Sequence, residues 1–87
     1  MAKTLNNLGS AYGALGDAAK MRDLLERALK IKEAFFGPDH IDVAKTLNNL
    51  GNAYGNVGDA ARKRDLLERA LRIEEKSTGS IFSTIGS

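Results

Sequence analysis

Residues 44–75 read AKTLNNLGNAYGNVGDAARKRDLLERALRIEE, and residues 2–33 read AKTLNNLGSAYGALGDAAKMRDLLERALKIKE. One stretch is the other moved by 42 positions, and only seven of the 32 pairs differ: Ser10/Asn52, Ala14/Asn56, Leu15/Val57, Lys20/Arg62, Met21/Lys63, Lys30/Arg72 and Lys32/Glu74. A unit that returns every 20 to 50 residues or so marks a repeat architecture, in which each supersecondary unit stacks on the next. Similarity this close points to recent duplication or deliberate assembly.

Within each unit the apolar residues keep helical time. Val43, Leu47, Leu50, Tyr54 and Val57 recur at spacings of four and three, one stripe along one helix. Gly58 suits the left-handed position after that helix, and Asp59 suits the N-cap of the next. The second helix carries Leu66, Leu67, Ala70, Leu71 and Ile73 on a wider face, with Asp65–Arg69 and Glu68–Arg72 spaced to pair at i,i+4 on the other side. In the first unit Phe35 and Phe36 extend the equivalent face before Gly37-Pro38 stops the helix. Asp39 is placed to cap the next helix, and Asp42 falls in its first turn, where negative charge suits the helix dipole. No segment alternates as a half-buried strand does. The spacing predicts an all-α domain over 1–76, with helices at about 2–15, 17–36, 40–57 and 59–76 and a short tail over 77–87.

The composition narrows the function classes. With 87 residues there is room for one small domain, and without cysteine there is no disulfide, thiolate metal site or thiol nucleophile. No stretch reaches the roughly 18 to 20 apolar residues of a membrane span. Met1 leads into a polar segment without a secretory signal, so the expectation is a cytoplasmic chain away from the membrane. The net charge of +2 comes from 13 basic and 11 acidic residues, too even a balance for a nucleic-acid face. The basic clusters at 20–22 and 62–64 are interleaved with Asp23, Glu26, Asp65 and Glu68 and lack aromatic residues for base stacking.

The pattern resembles the tetratricopeptide repeat. That family's first helix carries a large apolar residue, an apolar–glycine pair and then an aromatic. Here these are Leu5, Leu8-Gly9 and Tyr12, and again Leu47, Leu50-Gly51 and Tyr54. Ala28 and Ala70 match the alanine of its second helix, and Pro38 matches the proline between repeats. The resemblance covers about residues 2–76 and implies part of a right-handed α-solenoid. The usual repeat has about 34 residues. The 42-residue unit and the string GPDHIDVAKTLNNLG (37–51) look most like the long repeats of kinesin light chains and of some bacterial and fungal receptor-like proteins. Met21 and Lys63 depart from the family, which usually has a small residue there. Gly13 and Gly55, where the family often has a bulky one, offer compensating room, while Gly9 and Gly51 suit a close crossing of two helices.

The resemblance also implies a site. In the family one stripe of the first helix lines a concave, peptide-binding groove. The matching positions are Lys3, Asn6, Ser10 and Ala14, and Lys45, Asn48, Asn52 and Asn56. An amide side chain both donates and accepts, so such a ladder suits the backbone of an extended peptide or a helix of a protein partner. Asn7 and Asn49, one residue further round, are expected to bond between neighbouring helices. Some family members hold a C-terminal carboxylate with a lysine at the positions of Asn6 and Asn48, and the asparagines argue against that use. The bland alternative for the whole stripe is a solvated face or one that hydrogen-bonds between helices.

No enzyme is read from this sequence. His40 is the only histidine and stands in the turn between units, where a structural or capping role is expected. It has no second histidine for a metal and no nucleophile motif. The glycines at 51, 55 and 58 fit neither a phosphate loop nor a dinucleotide fingerprint. No catalytic residue, metal or cofactor is implied. Two function classes stand: a protein- or peptide-binding module, or a structural repeat whose main property is end-to-end self-association. Stacked repeats are usually stable from about three units upward, so two suggest a piece of a longer array with apolar ends. Leu66, Leu67 and Ile73 of the last helix, with Ile81, Phe82 and Ile85 of the tail, are the candidates for such an end. The tail itself reads either as an apolar cap or as a segment without fixed structure.

Overall fold

The computed structural model describes residues 2–77. These residues form four α-helices: α1 (Ala2–Ala14), α2 (Ala18–Phe36), α3 (Ile41–Asn56) and α4 (Ala60–Ser77), with no strand among them. Each packs on its neighbours in sequence, α1 on α2, α2 on α3 and α3 on α4. The result is two helix–turn–helix units in tandem, and α3 lies between the second helices of both.

The two turns inside the units are built alike. After α1, the Asp17 amide donates to Tyr12 O at 2.8 Å and the Gly16 amide to Gly13 O at 3.0 Å. After α3, the Asp59 amide donates to Tyr54 O at 2.8 Å and the Gly58 amide to Gly55 O at 3.1 Å. This is the Schellman pattern, which needs a left-handed residue at its centre. Gly16 (φ 85°) and Gly58 (φ 91°) supply it. The same aspartates open the next helices: Asp17 Oδ1 accepts from the Lys20 amide at 3.1 Å, and Asp59 Oδ1 from the Arg62 amide at 3.0 Å.

The turn between units is different. His40, not Asp39, is the N-cap of α3, its Nδ1 accepting from the Asp42 amide at 3.1 Å. Asp39 turns outward to Lys76 Nζ at 3.3 Å instead. Phe36 stacks on the His40 ring at 4.5 Å and meets Phe35 edge-on at 4.8 Å. Both phenylalanines are exposed, because α3 starts beyond the turn and leaves the end of α2 uncovered.

The core forms around α3. Val43, Ala44 and Leu47 pack with Ala70 and Ile73 of α4, while Leu50, Ala53 and Tyr54 pack with Leu25 of α2. Leu29 and Leu66 touch both groups and join them. Val57 leaves the expected stripe: α3 ends at Asn56, and the valine becomes an exposed C-cap. Helix crossing explains the glycines. A β-carbon at Gly9 would fall 3.2 Å from Leu25 Cγ, and one at Gly51 would fall 3.3 Å from Leu67 Cγ. The space at Gly13 is taken by Met21, whose Sδ would lie 2.5 Å from a β-carbon there. Lys63 fills the equivalent space over Gly55, with Cδ at 2.7 Å. The long residues at 21 and 63 therefore lie across the glycines one helix away.

Candidate interaction surfaces

The asparagine stripe divides when placed on the helices. Lys45, Asn52 and Asn56 stand exposed along α3, with Asn48 half-buried beside them. Ser10 and Ala14 are exposed on α1. Asn6 has another task. Its Nδ2 donates to Thr46 Oγ1 on α3 at 3.4 Å, so it ties the first helices of the two units together. Its Oδ1 is buried and meets no donor among the described residues. Asn7 and Asn49, expected at that joint, instead line a shallow hollow with Lys32, Phe36, Asp42 and Lys45. The side chain of Lys3 lies outside the described residues.

On the opposite side, α2 and α4 flank a cleft of about 530 Å³ floored by Leu29, Leu50, Tyr54 and Leu66. Tyr54 Oη donates to Glu26 Oε1 across it. Arg22 and Arg62 stand over the tyrosine ring, 5.9 Å and 5.6 Å from its centre. The hydrogen bond to Glu26, burial and the Glu26 charge together raise the Tyr54 pKa above 10.0, and the two guanidinium groups oppose that rise. Arg69 crosses from α4 to Glu33 Oε2 at 2.5 Å and to Pro38 O at 3.2 Å. It does not pair along its own helix with Asp65, which bonds Arg64 at 3.1 Å. The tertiary carboxylate gives Arg69 a second acceptor beside it, which the i,i+4 partner does not. The cleft is thus a charged seam between the units, and local spacing along the chain carries no signal of it.

The apolar ends also differ from expectation. Ile73 is only 2 % exposed and belongs to the core with Val43 and Leu47. Leu66 packs against the same core, and Leu67 lies over Gly51. The exposed large apolar residue of α4 is Leu71, at 54 %. Its counterpart on α1 is Leu8, at 45 %. The signal was present in the repeat: Leu71 answers to Leu29, and Leu8 to Leu50, both of which face the internal joint. Ile81, Phe82 and Ile85 lie outside the described residues.

Residues 1–76 match the family model for the tetratricopeptide repeat. The chain belongs to the tetratricopeptide-repeat family. Tetratricopeptide repeats mediate protein–protein interaction and are typically non-enzymatic scaffolds, which directs attention to surfaces more than to pockets. No curated protein matches the chain. Among the described residues of this tetratricopeptide-repeat chain, no helix is long and apolar enough to cross a membrane, and no three His, Cys, Asp or Glu side chains are grouped to hold a metal ion.

Proposed function

We propose that this chain is a non-enzymatic interaction unit of the long, 42-residue repeat type, taking an extended peptide or a helix of a protein partner across the face shared by α1 and α3. The observation that carries this reading is the row of Asn48, Asn52 and Asn56 on α3, continued by Lys45. Four helical residues advance about 6 Å. Two residues of an extended chain advance about 6.6 Å. A strand laid along α3 would therefore meet one amide for every second residue, with donor and acceptor both available to its backbone. Ser10 and Ala14 replace the last two asparagines on α1, and Asn6 is engaged with Thr46, so the site belongs mainly to the second unit.

The test is a peptide-array screen followed by the double variant Asn48→Ala/Asn52→Ala. Loss of binding with helicity retained supports the reading, because alanine is the better helix former and the fold is not at risk. Binding unchanged by the double variant removes the stripe as the site.

The exposure of Leu8 and Leu71 favours a second reading, a structural repeat that associates end to end and has no defined ligand. A screen that yields no binder, with concentration-dependent assembly, selects it.

A further inference from the structure

The α2–α3 joint is a junction between two copies of one sequence, so each side of it occurs again in the chain. At that joint Leu29 of the first unit packs on the cluster that holds Leu50 of the second. Tyr54 bonds Glu26, Arg69 pairs with Glu33, and Asn6 reaches Thr46. Moving the first-unit partners forward by 42 residues gives Leu71, Glu68, Glu75 and Asn48. Moving the second-unit partners back by 42 gives Leu8, Tyr12, Arg27 and Thr4. Every residue type is preserved.

These duplicates are also accessible. Leu71, Glu68, Leu8, Arg27 and Thr4 are exposed, and Glu75, Asn48 and Tyr12 are partly so. Tyr12 already has Lys20 Nζ over its ring at 5.4 Å, as Tyr54 has Arg62. The trailing side offers carboxylates at 68 and 75, and the leading side offers a guanidinium at 27. The faces are complementary in charge and in apolar content.

We propose that α3 and α4 of one chain seat α1 and α2 of a second copy in the geometry of the chain's own joint between its two units. Leu71 packs on Leu8 of the second copy, Glu68 accepts from Tyr12 of the second copy, Glu75 pairs with Arg27 of the second copy, and Asn48 reaches Thr4 of the second copy. This rests on the second reading above and supplies its register. The contact is heterologous, head to tail, so it extends without closing on two copies.

Sedimentation velocity on the full chain over a concentration series tests it, with Leu8→Glu and Leu71→Glu as single-face variants. Both positions are exposed, and circular dichroism checks that helicity is kept. The wild type is expected to sediment faster as concentration rises. Each variant alone stays monomeric, since it lacks one of the two faces. An equimolar mixture forms dimers and nothing larger, because one good face remains on each. Arg27→Glu and Glu75→Arg each weaken association roughly tenfold, and the double charge exchange in one chain recovers it. A wild type that stays monomeric at the highest concentration overturns end-to-end association and this register together. Association that persists in either single-face variant, or a mixture that fails to pair, overturns the register alone.

Discussion

Tyr54 shows how one side chain reports on the joint between units. Its hydroxyl donates to Glu26, and that bond, with burial and the carboxylate charge, raises its pKa above 10.0. A phenol that keeps its proton longer in the folded state than in the unfolded chain contributes stability below about pH 10, and that contribution is lost as pH climbs from there through the folded pKa. Urea melts of wild type and Tyr54→Phe across pH 9 to 11.5 or so should therefore converge as pH rises, with the wild type alone losing this part of its stability. Parallel curves would mean that the Glu26 bond does not set the ionisation. The glycines give a second comparison. A β-carbon at Gly55 first meets the far end of the Lys63 side chain, which can swing aside, whereas one at Gly51 meets the branched Leu67 and, at 3.5 Å, the Lys63 carbonyl. Alanine in a helix interior gains up to about 1 kcal/mol over glycine. Gly55→Ala should realise most of that gain in chemical denaturation, and Gly51→Ala clearly less. Equal gains would show that the crossing at Gly51 is not tight. The close approach at Gly51 was legible from the apolar–glycine pair in each copy. For Asn6 a bond between helices stood only as the alternative to peptide contact, and its partner Thr46 was not legible, because it stands 40 positions away and no local spacing connects them.

At the scale of the helices, periodicity and punctuation made four elements visible, and the repeated Gly-Asp pairs marked two of the three turns. What local reasoning missed were side chains with a choice between a neighbour in sequence and a neighbour in space. Asp39 is a strong capping residue by type, yet His40 holds the cap, with its ring seated on Phe36. His40→Ala should cost about 1 kcal/mol of unfolding free energy, and His40→Asn, which restores a cap acceptor without the ring, should recover part of it. If His40→Ala melts with the wild type, Asp39 has taken over the cap. Arg69 makes the same point on α4. It bonds Glu33 and the Pro38 carbonyl from a partly exposed position, so Arg69→Ala should cost about 1 kcal/mol, a figure that salt reduces. Arg69→Lys should not restore it, since one ammonium on a flexible stem does not span the two acceptors as a planar guanidinium does. Restoration by lysine would reduce the contact to simple charge attraction.

For the whole molecule the instructive comparison is between α1 and α3, which share nearly one sequence and differ in surroundings. Leu50 of α3 is 2 % exposed and its copy Leu8 is 45 % exposed. Ala53 is buried and its copy Ala11 exposed. Intrinsic propensity along the shared residues is close to equal, so beyond the His40 cap and the three further residues of α3 a difference in their stability comes from neighbours: α3 packs between α2 and α4, whereas α1 rests on α2. Helical spacing is the same in both copies and does not tell which copy of a position is covered; the signal lies in the 42-residue offset alone, which pairs Leu8 with the covered Leu50. In a repeat protein each unit's stability is its own plus its interfaces. The burial lost at Leu8 alone corresponds to about 1 kcal/mol. Native-state hydrogen exchange should therefore find the amides around Leu50 protected at least roughly fivefold more than those around Leu8. If a second copy docks on α1, that gap should narrow as concentration rises, and Leu8→Glu should hold it open. Equal protection of the two helices in dilute solution would instead locate the stability within each helix pair, with the joint between units contributing little to it.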